Sequence, residues 1–286
     1  MSTISIIGSG GMAAAIGGLA AKAGHTVEVM SRDAAKARAL AEQIGAGATT
    51  GVFAAAPGGD IVVLAVPYSA VLDVVKQYGE ALAGKLLVDI TNPVGSDLKS
   101  FVTPEDSFGA REIMKAAPSD AVVVKAFNTL FSRVLAAGPV EGRPLDVFIA
   151  GDDAQAKARV SAFIESLGLR PMDTGQLSMA PTLEHACLLS LGLLAHSVKH
   201  TNFSIGVSLL GLGHAPSLLA SHHPQGAVSC TYSLPAGPAI PVRISFPTSL
   251  QPVTRLLRLP GRTSPQRRCP RLAPKCVAAT SMISTG

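Results

Sequence analysis

Six residues near the start carry the clearest chemical pattern in the chain. Gly8-Ser9-Gly10-Gly11-Met12-Ala13 fits the spacing G-x-G-x-x-A. In such a turn the first glycine permits a tight bend and the second lets the backbone approach a pyrophosphate. The small Ala13 keeps the following helix close to a sheet, and the helix start offers free N–H groups and the positive end of a dipole. The chemistry is phosphate cradling, and the implied ligand class is a dinucleotide. The spacing alone is weak; its context gives it force. An apolar run at 3–7 leads directly into it, a helical pattern follows, and a second apolar run ends at Met30.

The residues after Met30 decide which dinucleotide is expected. A site for a free ribose 2′-hydroxyl places Asp or Glu there. This chain has Ser31-Arg32, with Lys36 four residues after Arg32. A guanidinium and an ammonium offer a 2′-phosphate charge-assisted bonds of about 1.5–3 kcal/mol each. NADP is therefore expected over NAD, held by Gly8, Ser9, Gly10, Gly11, Met12, Ala13, Ser31, Arg32 and Lys36. Asp33 reads as the cap of the next helix.

Three further loops follow apolar runs: Ala65-Val66-Pro67-Tyr68, Asp89-Ile90-Thr91-Asn92-Pro93-Val94 and Ala126-Phe127-Asn128-Thr129. The C-terminal ends of strands in an open parallel sheet face the ligand crevice. Val66, Pro67, Asn92, Pro93, Ala126 and Asn128 are expected to wall the nicotinamide. No residue is singled out as a catalytic acid, base or nucleophile.

These loops require a frame. Short apolar runs at 3–7, 26–30, 60–66, 85–90, 121–126 and 145–150 have the length and continuous apolarity of strands buried on both faces, and 169–172 adds a short last one. Helical patterns lie between them at 12–23, 34–43, 71–82, 106–115 and 153–167, with Asp152 or Asp153 as a cap and Gly168 as a stop. Alternation of this kind predicts an α/β fold, a Rossmann-type doubly wound parallel sheet. A Leu-rich helix is expected from 177 to about 199, packed beside the sheet or in a homodimer contact. The expected organisation is a nucleotide-binding domain at 1–173, a small C-terminal helical segment at 174–212 and a separate tail at 213–286.

That tail changes composition abruptly. It holds 11 of the 20 prolines and 8 of the 24 basic residues, and no acidic residue follows Glu184. It has no stable apolar period and is expected to be largely disordered, as an unselected or frame-shifted C-terminus would be. The first 212 residues then carry 16 basic and 19 acidic groups, so the net +5 comes from the tail and suggests no nucleic-acid partner.

The remaining features exclude more than they assert. Residues 1–8 lack a basic leader and read as a strand, not a signal peptide. The apolar runs at 186–195 and 203–220 are too short or too broken by Gly, His and Pro216 for a membrane span. Cys187, Cys230, Cys269 and Cys276 show no C-x-x-C spacing, and a reducing cytoplasm is expected. His196 and His200 are four apart but lack a third ligand, so no metal is assigned.

Taken in order, Gly8-Ser9-Gly10-Gly11-Met12-Ala13, Ser31-Arg32, Ala65-Val66-Pro67-Tyr68, Thr91-Asn92-Pro93, Val124-Lys125-Ala126-Phe127-Asn128-Thr129 and Ala150-Gly151-Asp152-Asp153 resemble the NADPH-dependent F420 reductases over roughly 3–212. The resemblance implies an oxidoreductase that passes a hydride between NADPH and a deazaflavin, F420, as co-substrate. It departs from the family at Asn128, where some relatives carry His, and at Ala180-Pro181, where many carry Arg. Other acceptors (a flavin, pyrroline-5-carboxylate or a β-hydroxyacid) and a non-catalytic NADP sensor are the alternatives. Lys199 and Asn202 resemble the Lys…Asn pair of β-hydroxyacid dehydrogenases only faintly.

Overall fold

The computed structural model of the protein describes residues 1–138 and 144–208. The described residues form one compact unit. The tail expected at 213–286 lies outside the described residues.

Six parallel strands form the main sheet in the order β3-β2-β1-β4-β5-β6: β1 (Thr3–Ile7), β2 (Thr26–Met30), β3 (Thr49–Gly51), β4 (Ile61–Leu64), β5 (Leu86–Asp89) and β6 (Val122–Lys125). Buried apolar side chains line both faces of β1, β4 and β5, which is why their sequences run apolar without alternation. Helices cover both faces. On one side α1 (Gly11–Lys22), α2 (Ala34–Ile44), α5 (Ser132–Ala137) and α6 (Ala154–Ser166) close over Ile4, Ile6, Val27, Val29, Val63 and Val88. On the other, α3 (Tyr68–Tyr78), α4 (Gly109–Ala116) and the start of α7 (Ala180–Leu193) close over Ile7, Val62, Leu64 and Leu87. The chain is thus a doubly wound Rossmann-type α/β fold.

Local chemistry sets the element ends. Asp33 caps α2 by accepting from Lys36 N at 3.1 Å, and Asp153 caps α6 by accepting from Ala156 N at 2.6 Å. Asp152 does something else: its Oδ1 accepts from Leu177 N at 2.9 Å and ties the turn before α6 to the entry of α7. Gly168 ends α6 with φ +75°. Within α1, a side chain at Gly17 would stand 2.6 Å from Ile44 Cδ1, so glycine here lets α1 lie against both α2 and the sheet.

Three features differ from the sequence expectation. Strand β3 is a three-residue edge strand, too short to show a period, and α5 has only six residues, less than two turns. The run at 145–150 does not extend the parallel sheet. It forms β7 (Asp146–Ile149), paired in parallel with β8 (Arg170–Asp173) through the full crossover helix α6. A single antiparallel bridge joins it to the main sheet: Lys125 N donates to Ala150 O at 2.9 Å and Ala150 N to Lys125 O at 3.1 Å. The short α5 that follows β6 packs on α1.

After α7 the helix continues as a π turn (Leu194–Val198) and stops at Lys199, whose φ of +64° is left-handed. From Leu177 to Val198 the helical stretch is 22 residues, long and apolar enough by length and composition to cross a membrane. Glu184, which interrupts the apolar run in the sequence, is 1% exposed and accepts from Lys125 of β6. The chain then turns back over the second sheet. Arg170 holds Asp146 by a fork of two bonds, Nη2 to Oδ2 at 2.8 Å, and Val207 N donates to the same Oδ2 at 2.6 Å. Phe203 lies edge-on to Phe131 at 5.3 Å.

Candidate functional site: the C-terminal edge of the sheet

The sheet reverses its winding between β1 and β4, and a crevice outside the strand ends at such a switch point is where ligands bind in these folds. Gly8 stands at that point. Its φ is +134°, and a Cβ there would lie 2.1 Å from Ala65 O, so glycine is required both by the bend and by the closeness of β4. Gly8 N donates to Met30 O at 2.8 Å and Ala65 N to Ile7 O at 2.8 Å, which pins the turn between the neighbouring strand ends. Gly10 caps α1 with an extended backbone, and open space surrounds the place where its Cβ would be. Gly10 thus puts no side chain of its own before the first N–H groups of α1, and the residues present fit a pyrophosphate.

Ser9 and Ser31 bring the β1 and β2 ends together, with their hydroxyls 3.2 Å apart; Ser31 Oγ also accepts from Asp33 N at 3.3 Å. Arg32 is exposed beside them and makes no hydrogen bond or ion pair among the described residues. Lys36 is one turn into α2 and exposed, its Nζ 3.8 Å from Asp33 Oδ2. An exposed pair at that distance contributes little. Met12 borders the same turn and is half-buried, whereas Ala13 is sealed in the core, so its part is packing.

Val66 and Pro67 follow β4, and Pro67 leads into α3 with its carbonyl accepting from Ala70 N at 2.9 Å. Asn92 follows β5 and Asn128 follows β6, and the two interlock. Asn92 Nδ2 donates to Asn128 O at 2.8 Å, and Asn128 Nδ2 donates both to Asn92 Oδ1 at 2.8 Å and to Leu183 O on α7 at 2.8 Å. Pro93 packs over Gly109 at the start of α4. Ala126 is fully buried, with its N–H bonded to Asp89 O at 3.0 Å, so it can meet a ligand only through backbone. Phe127 turns the chain between Ala126 and Asn128 with a φ of +59°, left-handed for a bulky buried residue. Asn128 Oδ1 and Thr129 Oγ1 are buried without a hydrogen-bond partner. Such groups cost about 1–3 kcal/mol each until a donor or water satisfies them.

Beneath this pair lies a cluster that the sequence reading passed over. Lys125, fully buried, donates to Asp89 Oδ2 at 2.8 Å, to Thr91 O at 2.6 Å and to Glu184 Oε1 at 3.0 Å. Asp89 and Lys125 are direct register partners on β5 and β6. Burial alone would favour a neutral lysine, but the two carboxylates outweigh it and raise its proton affinity above that of an ordinary lysine. The signal was present: opposite charges close two neighbouring apolar runs. Nearby, Tyr68 is pushed up to about 12 by burial, then by Glu112, Glu184 and Asp89, and stays protonated. Burial likewise raises the Cys187 thiol to about 11, leaving it unreactive at neutral pH.

A family model described as NADP oxidoreductase, coenzyme F420-dependent, matches residues 3–93. The chain is 30% identical over 165 residues to an F420-dependent NADP reductase of Methanocaldococcus jannaschii, covering 55% of this chain and 71% of that protein. It belongs to the F420-dependent NADP oxidoreductase family. A second F420-dependent NADP reductase, from Methanothermobacter marburgensis, is 28% identical over 210 residues, spanning 67% of this chain and 90% of the relative. Among solved structures, a protein described as a candidate F420-dependent NADP reductase from Arthrobacter sp. FB24 superposes with a TM-score of 0.65 at 26% identity, covering 73% of this chain and all of that one. The family match places the chain among oxidoreductases. It runs from the glycine turn through Asn92 and Pro93, two of the residues at the far end of the strand edge.

Proposed function

We propose that the chain transfers a hydride between NADPH and a deazaflavin of the F420 type. The observation that carries this reading is the 210-residue similarity to an F420-dependent NADP reductase, which extends well beyond the nucleotide turn. NADPH, when bound, would supply a hydride from C4 of its nicotinamide for C5 of the deazaflavin. The protein's part is placement. The first turn of α1 grips the pyrophosphate through backbone N–H groups. Arg32, with Ser31 and Lys36, meets the 2′-phosphate. Asn92 and Asn128 hold the wall beside the ring, with the unpartnered Asn128 Oδ1 and Thr129 Oγ1 available to a donor. The domain division at 173, a homodimer and a cytoplasmic location belong to the same proposal.

Steady-state assays with NADPH against F420, FMN and pyrroline-5-carboxylate test it. Turnover with F420 alone is expected. Turnover with another acceptor and not F420 overturns the assignment, and tight NADPH binding with no turnover turns it into a sensor.

A further inference from the structure

The far end of the ligand edge holds more negative charge than its lysine balances. Asp89 accepts from Thr91 N at 2.8 Å, from Thr91 Oγ1 at 2.7 Å and from Lys125 Nζ at 2.8 Å. Glu184 accepts from Lys125 Nζ at 3.0 Å and from Gly109 N at 3.4 Å. Every one of these partners is a donor, which is the pattern of two ionised carboxylates. One ammonium facing two carboxylates leaves one net negative charge. All three residues are at most 1% exposed, where water screens poorly. The excess reaches beyond the three residues. At the next strand end burial and then Glu112 hold the proton of Tyr68, and Glu184 and Asp89 add to them.

The cluster also abuts the asparagine pair at two places. Thr91, whose carbonyl takes the Lys125 ammonium, precedes Asn92, and Leu183, whose carbonyl takes the Asn128 amide, precedes Glu184. We propose that Asp89, Lys125 and Glu184 form a fixed negative element beside the nicotinamide position, which binds the cationic oxidised ring more strongly than the neutral reduced one. The inference rests on the reading that the ring lies against Asn92 and Asn128. Loss of a hydride turns the neutral dihydropyridine into a pyridinium. A negative charge already held in place stabilises that pyridinium without reorganising, and so inclines the bound couple toward giving its hydride away.

Equilibrium titration of the full chain with NADP+, NADPH and 2′-phospho-ADP-ribose, which lacks the nicotinamide, tests this. In Glu184→Gln the ratio of the Kd for NADP+ to that for NADPH is expected to rise about tenfold, the order for one unit charge about 12 Å away through an effective dielectric of roughly 20. The affinity for 2′-phospho-ADP-ribose should stay within about twofold. An unchanged ratio overturns the proposal. Asp89→Asn removes the same charge from the other carboxylate and must move the ratio the same way; movement in opposite directions also overturns it. The unsubstituted chain gives a measurement that no folding defect can spoil: it should bind NADP+ at least as tightly as NADPH, and a tenfold preference for NADPH sinks the idea. If both nucleotides bind no more tightly than 2′-phospho-ADP-ribose, the placement of the ring fails and the charge proposal falls with it.

Discussion

The two ends of the strand edge are built on opposite physical plans. At β1 and β2 the backbone does the holding: glycines let strand ends approach, and the groups offered outward are N–H donors, hydroxyls and exposed cations. At β5 and β6 side chains do the holding, with an asparagine pair above a sealed lysine and two carboxylates that bind α7 to the sheet. The first end is open and suited to a flexible, charged phosphate. The second is closed and suited to fixing a flat ring. The difference implies that substitutions of outward-facing groups at the first end should separate binding from folding, whereas those at the second, or at the Gly8 bend that joins the strand ends, should not.

The sharpest break should come at Gly8. Gly8→Ala combines a left-handed φ with a 2.1 Å clash against backbone, and should lower stability by about 3–5 kcal/mol in urea unfolding. Lys125→Met strands two buried carboxylates and should cost a similar 3–5 kcal/mol, read by the same transition. A milder loss would mean that a carboxylate takes up a proton.

At the outward-facing positions of the open end the effects should fall on binding alone. Gly10→Ala meets no atom within 4 Å and has a φ of −91°, so its thermal midpoint should hold while its Kd for NADPH weakens at least about tenfold through a methyl at the cradle. Arg32→Ala should raise the KM for NADPH by about 10- to 100-fold and leave that for NADH nearly unmoved. Equal effects on the two would remove the 2′-phosphate from Arg32.

The smallest expected effect lies away from both ends. Burial favours the neutral form of Asp146, but the Arg170 fork and Val207 N–H more than offset it and depress its proton affinity. A depressed carboxylate stabilises the fold above its unfolded value near pH 4 and ceases to as pH falls through its lower folded value. Urea midpoints for Asp146→Asn should therefore match the parent below the folded value, fall short increasingly as pH rises through it, and show the full deficit above about pH 4.

How much of this could be read from the chain alone follows the same division. The open end is local: a glycine spacing, a strand before it and a cation after it lie within 30 residues of one another, and each has a meaning of its own. Five of the six strands of the main sheet were legible as short apolar runs, and the edge strand β3 was not. The closed end is assembled from β5, β6 and α7, with Glu184 lying 59 positions from Lys125, and no period in the sequence joins them. Asp89 read as a strand boundary and Glu184 as an interruption in an apolar helix, when each is there to meet the other's partner. The direction of β7 was hidden too, because a short apolar run does not state whether its neighbour runs alongside or against it.

Phe127 places a constraint of another kind on any attempt to redesign this protein. Its left-handed backbone asks for glycine or asparagine, while its buried ring, within contact of Phe163 in the core, asks for bulk. No natural amino acid answers both demands, so relieving the bend opens a hole and keeping the hole filled keeps the bend. Directed evolution of the neighbouring asparagines would have to work around an immovable hinge of one residue.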